Sequence, residues 1–282
     1  MANTLINKVK WSFRRFTINI PKDALVLEVG SGGNPYPRSN VLVDAYQETR
    51  ERHWDKLIVD RPTVIAFGEK LPFRDKSFDY VIAAHVLEHS TNPETFLAEL
   101  ERVSKSGYIE TPDAFMERIN PYKDHRCEVS LINGNLLIKK KTSWVVDKDL
   151  VDLYEKKAKK IITSQTIPQN PEEFHVRYFW KDRIKFNIIN SQDNSEWVAP
   201  ETQSHSNQKN LNFKSKFRLF VLFIFRKLFS QSRRNNNLDI SEILKCECGG
   251  SIFKSLEIPN KELICKDCNK KFKKNKNIFY FN

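Results

Sequence analysis

Glycine is scarce in this chain of 282 residues, with eight in all, and only two methionines and five cysteines accompany them. So little glycine excludes a collagen-like or glycine-rich repetitive protein. Long apolar runs are also missing. The longest, residues 219–225, falls far short of the roughly 20 residues that span a bilayer. Residues 1–15 carry cations but no apolar stretch resembling a secretory signal, so a cytoplasmic location is expected. Five cysteines in such a chain do not make a disulfide framework. Net charge is nearly absent from the first 200 residues, which hold 30 Lys and Arg against 28 Asp and Glu; the rest hold 17 against 7. The formal net charge of +12 thus belongs to the C-terminal third. A basic appendage suits an anionic partner such as nucleic acid, a lipid surface or a glycan phosphate, or is simply a solvated lysine-rich surface.

What is present is a globular composition, 40% hydrophobic and 29% charged, long enough for one sizeable domain with an appendage or for two domains. Residues 24–29 (ALVLEV) read as a buried strand running into a glycine cluster, followed by strands at 41–44, 80–84 and 107–110. A helical spacing places Leu97, Leu100 and Val103 on one face. Alternating strands and helices predict an α/β fold with a doubly wound parallel sheet, whose ligands bind at the carboxyl ends of the strands. Beyond Pro121, Asn133-Gly134 between two apolar runs predicts a hairpin, followed by a helix over 147–160 and a strand over 184–189. The polar stretch that starts at Ser191 has linker composition. The expected domains are 1–190, a linker with a hydrophobic basic helix over 191–238, and a small unit over 239–282.

The first loop, Glu28-Val29-Gly30-Ser31-Gly32-Gly33, ends a strand with the glycines a backbone needs to approach a nucleoside closely. Asp44 closes the next strand, placed to accept hydrogen bonds from ribose hydroxyls. With the stretch GEKLPFRDKSFDYVIAAHVLEH over residues 68–89, residues 24–112 resemble the class I S-adenosylmethionine-dependent methyltransferases, especially the quinone-biosynthesis branch. The resemblance implies a Rossmann-like sheet and an S-adenosylmethionine site formed by Glu28, Gly30, Ser31, Gly32, Asp44, Phe67, Gly68 and His85. Two departures stand out. Residues 34–40 are too few and too rich in proline for the usual helix after the first strand. Phe67 stands where relatives carry an aspartate toward adenine, so backbone groups and stacking near Gly68 and Glu69 would hold the base. A dinucleotide-dependent dehydrogenase would share the fold but needs a third glycine where this chain has Pro35.

A hydroxyl acceptor needs a base with a near-neutral pKa, which makes His85, His89 and His125 the catalytic candidates, each of which could equally cap a helix or pack. Many methyl transfers need little beyond positioning, since the sulfonium is already activated. Cys246, Cys248, Cys265 and Cys268 form two tight pairs separated by 16 residues, the spacing of a structural Zn²⁺ held by four thiolates. The segment resembles the zinc-ribbon family that includes the activator subunit of eukaryotic tRNA and release-factor methyltransferases. Residues 213–229 (FKSKFRLFVLFIFRKLF) read as a helix docked on the protein's own body or a partner, with an anionic membrane surface as the alternative.

Together these readings predict a methyltransferase with a C-terminal zinc ribbon, acting on a small molecule, glycan or lipid-linked intermediate, cytoplasmic or peripheral to a membrane. The alternatives are an RNA or protein methyltransferase with a built-in activator ribbon, and a binding or scaffold protein that keeps the fold without turnover.

Overall fold

The computed structural model describes residues 2–52, 55–197, 220, 221, 223–225, 227–231, 235, 238–251, 253–256 and 262–282. Most of the expected linker and the first half of 213–229 lie outside them. The chain opens with helix α1 (Ala2–Ser12), then β1 (Val26–Val29), β2 (Val41–Asp44), β3 (Thr63–Ile65) and β4 (Tyr80–Ala84). Helix α2 (Pro93–Val103) and strand β5 (Ser106–Pro112) follow. Strands β1 to β5 are parallel, in spatial order β3-β2-β1-β4-β5. All four residues of β1 and of β2 are buried, as expected of parallel strands covered on both faces.

The two faces are covered differently. Helix α2 begins at Asn92, whose side chain accepts from the Thr95 amide, with Pro93 at the first helical position where no amide is needed. It presses Phe96, Leu97, Leu100 and Val103 onto the side of the sheet that carries Leu27, Val29 and Val81. On the opposite side, Val26, Tyr80, Ile82 and Tyr108 meet Tyr36, Ile18 and Ile20. Residues 34–40 form turns and no helix, as the prolines require, so this face is closed by irregular chain.

Beyond β5 lies a short helix α3 (Ala114–Ile119), then the hairpin β6 (Cys127–Ile132) and β7 (Asn135–Lys140). Asn133 and Gly134 both take positive φ, 49° and 76°, as a two-residue turn matching the twist of the strands demands. The predicted helix over 147–160 is longer, running over 148–169 with alternating α and π turns and starting as α4 (Lys148–Leu153). Strand β8 (His175–Lys181), which the sequence reading passed over, runs antiparallel along β5. The predicted strand over 184–189 shrinks to β9 (Phe186–Ile188), which pairs with β7.

The C-terminal segment forms β10 (Phe253–Leu256), β11 (Glu262–Cys265), β12 (Lys271–Asn275) and β13 (Ile278–Tyr280). The first three and β13 are successively antiparallel, but β13 then pairs in parallel with β3, placing Ile278 opposite Thr63 and Phe279 opposite Val64. The ribbon expected as a separate unit therefore lengthens the central sheet to ten strands. Leu244, Leu263, Phe272 and Phe279 belong to the same hydrophobic core as Val43, Val64 and Phe73. An unpaired β3 edge would invite aggregation, and the chain covers it with its own last strand. Of residues 213–229, Phe225 and Phe229 lie against Phe16, with ring centroids 5.7 and 5.8 Å apart. Phe220, Phe223 and Leu228 stay exposed.

Candidate active site and cysteine centre

A cavity of about 170 Å³ lies at the carboxyl ends of β1, β2 and β4, lined by Gly30, Gly32, Asp44, Tyr46, Arg52, Gly68, His85 and His89 among others. Gly30 and Gly32 both have positive φ, 74° and 58°. A Cβ added at Gly30 would sit 2.0 Å from Val86 Cγ2, so only glycine fits there. The Gly30 and Ser31 amides donate to the Val43 carbonyl, which ties the loop to β2. Asp44 Oδ2 accepts from the Gly32 amide at 3.0 Å, and Oδ1 accepts from Arg52 Nη1 at 3.0 Å and from the Tyr46 amide at 3.2 Å. Arg52 also donates to the carbonyls of Gln47 and Asp55, so one guanidinium ties both of these residues to Asp44.

Not every expected residue faces this cavity. Val29 lines it, and since neighbouring strand residues point to opposite faces, Glu28 points away. Glu28 is 3% exposed and accepts from the Tyr36 amide at 2.9 Å and the Ser39 hydroxyl at 2.6 Å. Burial pushes its carboxyl up to about 7, against the opposing pull of Ser39, Arg15, Arg61 and the Tyr36 amide. Arg61, fully buried, donates to the Tyr36 and Ser39 carbonyls and so fixes the turn that Glu28 grips. In this structure Glu28 shapes the loop behind the glycines and does not reach the cavity. Ser31 is buried beside the cavity without lining it. Phe67 is 43% exposed and packs edge-on against Tyr46, 5.6 Å between ring centroids, which leaves Tyr46 as the aromatic surface in the cavity wall.

His85 follows β4 with φ 58°, an uncommon conformation for a residue with a Cβ, held by its amide donating to the Glu110 carbonyl at 2.7 Å. Strain of this kind, of order 1–3 kcal/mol, collects at functional sites. Its ring stands between two buried carboxylates, Nδ1 3.3 Å from Glu88 and Nε2 3.3 Å from Glu110. Burial lowers the imidazole pKa, but Glu110 and Glu88 outweigh it and raise it to about 9. Glu110 also takes the Arg14 guanidinium at 3.0 Å and the Tyr108 hydroxyl. His85 is therefore a cation at neutral pH, which does not suit it to take a proton from an acceptor. His89, on the short turn Leu87–His89, lines the same cavity, and burial lowers its pKa to about 4. His125 is buried, its Nδ1 2.6 Å from Glu117 Oε2 and its ring 4.7 Å from that of His89. Cys127 is a buried thiol that burial pushes up to about 12, so it is no nucleophile.

The sequence reading named none of Arg14, Arg52, Glu88, Glu110 or Arg177. Glu88 sits between two candidates in HVLEH, and Glu110 closes the strand expected over 107–110, which in the structure runs on to Pro112; either position offered a signal. A second cavity, about 400 Å³, lies between α1 and residues 168–177 and is lined by Lys10, Trp11, Arg14 and Arg177. Arg14 and His85 meet at Glu110, which joins the two cavities through one carboxylate.

The four C-terminal cysteines come together. Cys246 and Cys268 have sulfurs 3.7 Å apart, Cys248 and Cys265 3.6 Å, and all four lie within 4.8 Å of one another. A tetrahedron with metal–sulfur bonds of about 2.3 Å has edges of about 3.8 Å. The Gly250 amide points to Cys248 Sγ at 3.4 Å, and a Cβ at Gly250 would lie 2.8 Å from Cys265 Sγ.

Residues 27–109 match the model of the methyltransferase domain family. The chain is 43% identical over 58 residues to the ubiquinone/menaquinone biosynthesis C-methyltransferases of Burkholderia mallei and Burkholderia thailandensis. That match takes in 21% of this chain and 24% of each relative, so the chain spans about a quarter of the length of the curated relatives it matches. Among solved structures it is similar to the YcgJ protein of Bacillus subtilis at 18% identity and a TM-score of 0.32, over 55% of this chain and 82% of that one. It is also similar to a complex of the Haloferax volcanii Trm112 methyltransferase activator with a putative methyltransferase, at 17% identity and a TM-score of 0.28, over 39% and 54%.

Proposed function

We propose that the protein transfers a methyl group from S-adenosylmethionine to an anionic small molecule, glycan or lipid-linked intermediate. The observation that carries this reading is the shared wall of the first cavity, where two positive-φ glycines at the end of β1 meet a carboxylate at the end of β2. Gly30 and Gly32 let the cofactor's methionine end approach the backbone, Asp44 accepts from its ribose, and Tyr46 offers a face to the adenine. When bound, the cofactor supplies the activated methyl; the residues around it need only position and orient. The second cavity supports an anionic acceptor, because Lys10 and Arg14 line it beside Trp11, while Arg177 in the same wall is paired with Glu172 at 3.3 Å. The Arg14–Glu110–His85 array would align the acceptor at the cavity junction without taking its proton.

The four sulfurs would hold Zn²⁺ with a complete shell, so the ion would be structural, clamping the ribbon that carries β13. The test is transfer of tritiated methyl from S-adenosylmethionine into cell extracts, fractionated into RNA, protein, lipid and glycan. Label in the lipid or glycan fraction, or in small anionic metabolites, is expected. Label confined to RNA or protein would replace the proposed acceptor class, and no label with intact cofactor binding would favour a non-catalytic scaffold.

A further inference from the structure

Behind the cofactor cavity, Glu88, His89 and His125 bring one ligand atom each to within 4.8 Å of one another. Each imidazole is oriented through its Nδ1. His89 Nδ1 lies 3.2 Å from the Asp124 carbonyl, and His125 Nδ1 lies 2.6 Å from the Glu117 carboxylate. With Nδ1–H donating to those oxygens, both rings keep the lone pair on Nε2, the arrangement in which a second carboxylate or carbonyl fixes a metal-binding histidine. Glu117 is itself held by Lys141 Nζ at 2.6 Å and the Tyr122 amide at 3.2 Å, so the His125 ring has a firm support.

Glu88 supplies the independent sign that a ligand belongs here. It is 2% exposed, and neither carboxylate oxygen has a hydrogen-bond partner. Oε1 is within ion-pair distance of the His85 ring at 3.3 Å but lacks hydrogen-bond geometry. The His85 ring meets the charge on the Oε1 side, which leaves Oε2 a buried oxygen with no partner; such an oxygen is costly, and a cation between it and the two imidazoles would satisfy it.

We propose that Glu88, His89 and His125 form a binding site for a divalent transition-metal ion, distinct from the cysteine centre. Two imidazoles and a carboxylate suit ions such as Zn²⁺, Fe²⁺ or Co²⁺, and three protein ligands leave a coordination position open. His89 lines the cofactor cavity, so the site borders it. Binding at these residues does not require that methyl transfer occur.

The experiment titrates Co²⁺ into the full chain with its cysteine centre already filled by Zn²⁺. One further equivalent of Co²⁺ should bind without the intense sulfur-to-cobalt absorption of a thiolate site, and the ring-proton resonances of His89 and His125 should shift in the wild-type protein. Glu88→Gln and His125→Asn should each weaken Co²⁺ by at least tenfold, and Glu117→Gln, which supports the His125 ring from behind, by about 10- to 100-fold. No Co²⁺ beyond the cysteine centre, bound Co²⁺ that leaves both histidine resonances unmoved, or unchanged affinity in the folded variants would overturn the proposal. The wild-type resonances decide the matter should a variant fail to fold.

Discussion

Arg52 Nη1 lies 3.0 Å from Asp44 Oδ1, so the carboxylate at the end of β2 is braced by a guanidinium that also holds the loop above it. Asp44→Ala should weaken S-adenosylmethionine binding by about 1–3 kcal/mol through loss of charge-assisted hydrogen bonds to the ribose. Arg52→Ala should weaken it less, since it loosens the loop but leaves the acceptor in place. Calorimetric titration of both variants checks this order, and an Asp44 variant that binds as the wild type does would refute the assignment.

Glu28 makes stability depend on pH. Its folded-state pKa, raised to about 7 by burial, lies above the usual 4.5, so the native state holds a proton that the unfolded chain releases. The contribution is fully present below about 4.5 and is lost as pH rises through about 7. Relative to Glu28→Gln, the wild type should lose on the order of 3 kcal/mol between pH 4.5 and 8. Urea unfolding of both proteins at several pH values measures this; a constant difference would show that Glu28 is ionised throughout.

If the four cysteines hold Zn²⁺ as proposed, its removal should be felt beyond the segment that carries them. The Thr63 amide donates to the Asn277 carbonyl and the Phe281 amide to the Ile65 carbonyl, so β3 depends on β13 for its outer bonds. Chelation should abolish hydrogen-exchange protection in β10 to β12 and lower it at Thr63 and Phe281, while β1 and β4 keep theirs. Unchanged protection at Thr63 would mean that β13 stays docked without the metal.

Leu244 is fully buried, and its neighbours Ile243 and Lys245 exchange backbone bonds with Arg74 and Pro72. Leu244→Ala should cost about 2–5 kcal/mol, the range for emptying a buried leucine site. Since the residue shares a core with Val64 and Phe73, scanning calorimetry should show one transition shifted downward. Two separate transitions, with only the smaller one moving, would mean that the ribbon is an independent unit.

The sequence by itself determined the local pieces. Strand β2 at 41–44, the hairpin turn at Asn133-Gly134, the α2 face of Leu97, Leu100 and Val103, and the missing helix after β1 each follow from neighbours in the chain. Apolar runs, glycine φ and proline sterics act over a few residues, and the paired cysteines declare themselves by spacing. The face of Glu28 was not legible, because every residue of β1 is buried and a strand covered on both sides carries no alternation to read. Nor could spacing reveal that β13 would choose β3, some 215 residues earlier, as its partner: strand pairing is a long-range choice among open edges, and it made one sheet of two expected units. The same holds for the site. HVLEH placed His85, Glu88 and His89 together, but only the folded chain set His125 against His89 with Glu117 behind it, and Arg14 against His85 through Glu110. Those contacts are decided by which loops the sheet edges bring together, and so by the tertiary structure alone.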